Sequence, residues 1–178
     1  MEIKNFKFKK KYGQNFLIDA NITNKIANVI KDKANSLVIE IGCGDGRLTK
    51  QLCTYYDKVL CYEIDEEVIP YLKDNLKEYN NYNVILGDFL KRDVNLDIKL
   101  FKYDKLYVVA NLPYYITTPI IEKIINSKID ADTLVFMVQK EVGDRFSAKV
   151  GTKEYSSLSV SPSNLRMYCF GSCMISMT

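Results

Sequence analysis

From residue 19 to about residue 160, short unbroken apolar runs alternate with longer stretches that repeat with a helical period. Runs at 37–41, 59–62, 84–86, 106–110 and 133–138 have the length and β-branched content of strands buried on both faces. Between them, Ile22, Ile26, Val29 and Ile30 fall on one helical face behind a capping Asp19. Further helices are predicted over Arg47–Tyr55 and over 66–79, the latter with Val68, Leu72 and Leu76 inward and Pro70 near its start. Thr118-Pro119 has the form of a helix start, with Ile120, Ile121, Ile124 and Ile125 as the buried stripe. Strand–helix alternation with right-handed crossovers predicts a doubly wound, Rossmann-like α/β domain over 19–160. In such sheets ligands sit beyond the carboxyl ends of the strands. Gly42, Glu63, Asp88 and Asn111 all fall at those ends.

The two ends of the chain differ from this frame. Lys4, Lys7, Lys9, Lys10 and Lys11 crowd the arm at 1–18 against a single acid, Glu2. Such an arm serves a phosphate backbone or stays solvated, and its charges alone do not choose. The tail at 161–178 carries one charge, Arg166, and has no clear period, so no structure is predicted for it.

Composition narrows the chemistry. With 178 residues, 47% hydrophobic and 26% charged, the chain has the makings of one globular domain. No apolar run reaches the roughly 18–20 residues of a membrane span, and the charged start is unlike a secretory leader, so a cytoplasmic monomer is expected. Cys43, Cys53 and Cys61 are spaced as buried thiols, Cys169 and Cys173 supply two ligands at most, and no metal is expected. The chain contains no histidine, which excludes imidazole-based nucleophile activation and proton shuttling.

What remains is concentrated in two loops. The turn Glu40-Ile41-Gly42-Cys43-Gly44-Asp45-Gly46 has Arg47 where a dinucleotide fingerprint would have its third glycine. A loop of this kind suits S-adenosyl-L-methionine, which lacks a pyrophosphate and needs only close backbone approach. Glu63, closing the second strand, can accept from ribose hydroxyls, and Asp88, closing the third, from an adenine amino group. In Asn111-Leu112-Pro113-Tyr114, the Asn111 amide oxygen and a carbonyl at Leu112 or Pro113 can hold the two hydrogens of an exocyclic amine. Pro113 fixes the loop and withholds an N–H donor, and Tyr114 can stack on the base. The pattern indicates methyl transfer to adenine nitrogen, with acceleration from in-line positioning. An adenine in structured nucleic acid must first leave its stack.

These loops, with Tyr12-Gly13-Gln14-Asn15-Phe16-Leu17 and Val138-Gln139-Lys140-Glu141-Val142, resemble the ribosomal RNA adenine N6,N6-dimethyltransferases from about Lys10 to Val160. Asn111 to Pro119 is similar to the small-subunit branch. The erythromycin-resistance branch, acting on large-subunit RNA, usually has isoleucine before the loop proline and lacks the later Thr-Pro. The resemblance implies cofactor binding by Asn15, Leu17, Gly42, Glu63, Asp88 and Asn111, and catalysis by Asn111, Pro113 and Tyr114. It implies two adjacent adenines near the 3′ end of small-subunit rRNA as substrate, in an immature small subunit, with the lysine arm along RNA phosphates. An adenine-N6 DNA methyltransferase and a non-catalytic nucleic-acid-binding factor are the competing readings. Family members continue past Val160 into a further strand, a hairpin and a small helical domain. The different tail here reads as a truncation or frameshift, which would leave an unpaired sheet edge.

Overall fold

The computed structural model describes residues 19–138, 145, 148, 151–152, 166–170 and 174–177. Asn15, Leu17, the lysine arm and residues 139–142 lie outside the described residues. The strands are β1 Ser36–Ile41, β2 Lys58–Glu63, β3 Tyr82–Leu86, β4 Lys105–Asn111, β5 Thr133–Met137, β6 Arg166–Phe170 and β7 Met174–Met177. They form one sheet in the order β3-β2-β1-β4-β5-β6-β7, parallel except for the β6–β7 pair. The five predicted strands are all present, each within two residues of its expected ends.

Alternation along each strand splits the core into two layers. Leu37, Ile39 and Ile41 of β1 face the same way as Val108 of β4 and Phe136 of β5, toward α4 (Val94–Ile98) and α5 (Tyr114–Asn126). Val38, Val59, Cys61, Val109 and Val135 face the opposite layer, built by α1 (Ala20–Ala27), α2 (Arg47–Tyr55) and α3 (Ile69–Asn75). Both faces of the sheet are therefore covered, which is why the central strands read as continuous apolar runs. Cys43, Cys53 and Cys61 are buried free thiols, as their spacing suggested. Among the described residues, no helix is long and apolar enough to cross a membrane.

Several boundaries differ from expectation. Asp19 caps α1 as foreseen, its carboxylate accepting from Asn21 N at 2.8 Å. Ile22, however, faces outward at 37% exposure, and Ile26, Ala27 and Ile30 carry the buried stripe. The helix expected over 66–79 begins as a 3-10 turn, Glu66–Val68, and continues only to Asn75, with Val68, Leu72 and Leu76 buried as predicted.

The largest correction on this side concerns α5. It starts at Tyr114, not at Thr118, and encloses Pro119. Pro113 sets the entry with φ −63° and accepts from Ile116 N at 3.2 Å and Thr117 Oγ1 at 3.0 Å. Proline signals an early helical position but does not say which one. The stripe of Ile120, Ile121 and Ile124 is buried as expected. Truncating Ile121, which has no exposed surface, is expected to cost ~2–5 kcal/mol.

The edge also differs. The tail was expected to have no firm structure and the sheet to lack its final hairpin. Instead Arg166–Phe170 pairs in parallel with β5, and Met174–Met177 returns antiparallel to it. The open donors and acceptors of β5 supply a template that no periodicity in the tail reveals.

Candidate active site

Strand order reverses between β1 and β4, and a cleft of about 150 Å³ opens beyond their carboxyl ends. Gly42, Glu63, Asp88 and Asn111 all line it, together with Pro113.

The glycine turn is built by hydrogen bonds that only a backbone free to take positive φ can make. Gly42, Gly44 and Gly46 have φ of 75°, 55° and 84°. Gly42 N donates to Tyr62 O at 2.8 Å, Gly44 N to Glu63 Oε2 at 2.7 Å, and Gly46 N to Cys43 O at 3.0 Å, where α2 begins. A side chain at Gly42 would meet open space, whereas one at Gly46 would come within 3.3 Å of Leu76 Cγ.

Glu63 is 6% exposed, and its Oε1 accepts from Ile64 N and Asp65 N at 2.8 and 2.9 Å. Burial pushes its carboxyl up, against the pull of the N–H groups of Asp65, Gly44 and Ile64. The sequence offers Glu63 as an acceptor for ribose hydroxyls, but backbone donors already take three of its roughly four acceptor sites. About one site, on Oε2, is left for an outside donor. Asp88 caps a 3-10 turn, Phe89–Lys91, accepting from Leu90 N at 3.0 Å, with Lys91 Nζ 3.8 Å from its other oxygen. Asn111 is half-buried at the end of β4, and the next residue, Leu112, donates to Met137 O at 3.3 Å. Tyr114 opens α5 directly behind the loop. The cofactor roles expected of Asn15 and Leu17 fall outside the described residues.

Sequence reasoning passed over Glu40, Tyr62, Phe89 and Tyr115, which also line the cleft. Glu40 is 1% exposed, next to the carboxyl end of β1 and on the same face as Val38. Burial pushes its carboxyl up to about 8, opposed by the Thr49 hydroxyl and the Cys61 thiol, whose Sγ lies 3.8 Å from Oε2. The available signal was an acid inside an otherwise apolar strand. Asp45 is likewise raised by burial, although Arg47 Nε sits 2.8 Å away. Of the three buried carboxyls around the glycine turn, Glu40 is driven toward its neutral form and Asp45 is paired with Arg47, which leaves Glu63 as the one placed to accept from a ligand.

The family model for ribosomal RNA adenine dimethylase matches residues 5–169. A Staphylococcus epidermidis protein named ribosomal RNA small subunit methyltransferase A is 50% identical over 157 residues, covering 87% of this chain and 53% of the relative. A Listeria monocytogenes protein of the same name is 49% identical over 158 residues, covering 87% of this chain and 54% of the relative. The crystal structure of a Plasmodium falciparum dimethyladenosine transferase superposes with a TM-score of 0.69 at 36% identity, covering 82% of this chain and 51% of that one. The 23S rRNA methyltransferase ErmE aligns with a TM-score of 0.53 at 28% identity, over 64% of this chain and 44% of its own. The chain spans about half the length of the curated relatives it matches. A match over nearly the whole chain, with about half of the aligned residues shared by such relatives, means that it belongs to the ribosomal RNA adenine dimethylase family.

Proposed function

We propose that this protein is an S-adenosyl-L-methionine-dependent methyltransferase that dimethylates the N6 nitrogens of two adjacent adenines near the 3′ end of small-subunit rRNA, during ribosome assembly in the cytoplasm. The observation that carries the reading is the convergence of Gly42, Glu63, Asp88 and Asn111 on one cleft. The residues fit the cofactor. The glycine turn gives close backbone approach, and Glu63 and Asp88 offer acceptors at the edge of the same cleft. When bound, S-adenosyl-L-methionine supplies a methyl group on a positively charged sulfur.

The chain's own task is to make a poor nucleophile attack. An exocyclic amine shares its lone pair with the purine ring. The Asn111 amide oxygen and the Leu112 carbonyl accept its two hydrogens and draw the nitrogen toward tetrahedral geometry, since the Pro113 carbonyl already accepts from Ile116 N and Thr117 Oγ1. Pro113 places no N–H donor there, and Tyr114 stacks on the base. Positioning of this kind needs no imidazole, in keeping with a chain that has none.

The test offers tritiated S-adenosyl-L-methionine with unmethylated small subunits, with naked rRNA and with DNA. Label is expected in small-subunit rRNA, recovered as N6,N6-dimethyladenine. Label in DNA alone, or none anywhere despite cofactor binding, overturns the reading.

A further inference from the structure

The cleft wall that carries Asp88 is fastened from below by a side-chain network that none of the loop motifs includes. Asp97 lies on α4, buried to 7% exposure. Both of its oxygens take the Arg92 guanidinium fork, Nε donating to Oδ2 at 3.1 Å and Nη2 to Oδ1. Tyr62 OH donates to the same Oδ2 at 3.0 Å. Arg92 is the residue that ends the 3-10 turn Phe89–Lys91, and Asp88 is the residue that begins it. The turn is therefore held at its start by its own cap and at its end by Asp97.

Tyr62 ties this turn to the rest of the cleft. Its ring meets Phe89 edge-on at 5.1 Å, with an interplanar angle of 77°. Its backbone oxygen is the acceptor that holds Gly42 N at 2.8 Å, and the residue after it is Glu63. One residue thus contacts the glycine turn through its carbonyl and the Asp88–Phe89 wall through its ring. Burial and the Asp97 carboxylate both raise the Tyr62 hydroxyl, so it stays protonated and keeps donating. A carboxylate clamped by a two-pronged guanidinium and a phenol is among the stronger side-chain arrangements. Its position on a short helix behind the wall makes it a support of the site, since Asp97 itself does not line the cleft.

We infer that Asp97, acting with Arg92 and Tyr62, is a positioning residue that sets the Asp88–Phe89 wall at the distance required by the cofactor's adenosine end. This rests on the cofactor reading above. Loosening the clamp lets the turn drift, so the penalty falls on cofactor affinity and leaves the Asn111 loop and RNA binding unaffected.

The test compares the wild type with Y62F, which removes one hydroxyl and keeps the ring against Phe89, and with R92K and R92Q. Calorimetry measures affinity for S-adenosyl-L-methionine and for S-adenosylhomocysteine, and steady-state kinetics separates the KM for each substrate. Y62F is expected to weaken both ligands roughly tenfold. R92Q is expected to weaken them more, with partial recovery in R92K, and in both Arg92 variants, which lie outside the cleft lining, the KM for RNA and kcat at saturating cofactor stay near wild type. If melting temperature falls in these variants but cofactor affinity does not move, the clamp is only structural and the inference is overturned. A fall in kcat with cofactor affinity unchanged overturns it equally. A wild type that binds neither ligand removes the cofactor reading itself, a different failure that the wild-type titration alone reveals.

Discussion

Gly44 N donates to Glu63 Oε2 across 2.7 Å, so the glycine turn after β1 and the acid that closes β2 form one hydrogen-bonded unit. The parallel pairing of these neighbouring strands, with Ile41 beside Tyr62, brings the two ends level. The consequence is that Glu63 has a double task, shaping the turn and offering its remaining acceptor site to the ligand.

Replacing Glu63 by glutamine keeps the volume but turns an amide N–H₂ toward a backbone donor. Each lost bond to a charged acceptor is worth ~1.5–3 kcal/mol. E63Q is expected to be less stable by ~2 kcal/mol and to bind S-adenosyl-L-methionine on the order of 100-fold more weakly. Thermal unfolding and isothermal titration read the two effects separately. A variant with normal affinity would remove Glu63 from the cofactor site.

For Asn111 the expectation reverses, with turnover suffering more than stability. N111A removes an acceptor that strengthens as the amine nitrogen becomes tetrahedral. A loss in kcat of on the order of 10²–10³ is expected, the range for deleting one preorganised polar group. Single-turnover methylation of unmethylated small subunits measures it. Unchanged turnover would sink the proposed chemistry.

Glu40 predicts a pH dependence of stability. Its carboxyl titrates near 4.5 when solvated and at about 8 in the fold. Below the lower value both states are protonated and no penalty arises. Between the two values the unfolded chain gives up a proton that the folded chain keeps, so stability falls with rising pH, by up to ~1.4 kcal/mol per unit. E40Q removes this term. The wild type should therefore lose stability relative to E40Q as pH rises from about 5 to 8 in urea titrations. Parallel curves would show that Glu40 is ionised throughout.

Two glycines of one turn should respond differently to alanine. At Gly46, φ is +84° and the new Cβ would lie 3.3 Å from Leu76 Cγ, so strain and overpacking combine to ~2 kcal/mol of lost stability. At Gly42 the Cβ would meet no atom, and only the strain of φ +75° remains, ~1 kcal/mol. G42A should nonetheless lose more cofactor affinity than stability, because Gly42 lines the cleft. Denaturation midpoints and titrations of both variants provide the comparison.

Pro119 occupies an exposed position inside α5, where it brings no backbone N–H to the helix. P119A should supply the helical N–H that proline lacks and raise stability by ~1 kcal/mol, the interior cost of proline less the entropy it removes from the unfolded chain. A lower melting temperature would show that the proline stabilises α5 where it stands.

Legibility in the sequence followed the range of the interactions involved. The five central strands were readable because burial on both faces leaves an unbroken apolar signature. Gly42, Glu63, Asp88 and Asn111 were readable because strand ends in a parallel sheet face one crevice. The start of α5 was not, since Pro119 marks an early helical turn without fixing which, and the Asn111 loop decides where the chain enters. Ile22 was misjudged because its period fits the stripe, although the folded chain leaves it 37% exposed. Glu40 and the Asp97 clamp escaped notice because a buried acid acquires its meaning only from what surrounds it.

The amino-acid order alone determined a doubly wound sheet and the strand ends at which polar groups gather. Folding in three dimensions decided how much of Glu63 remains for a ligand, where the proton of Glu40 sits, and that the tail completes the edge of the sheet. Periodicity records which face of an element is buried. Hydrogen-bond saturation, desolvation and edge pairing depend on partners far away in the chain, and only the packed structure brings those partners together.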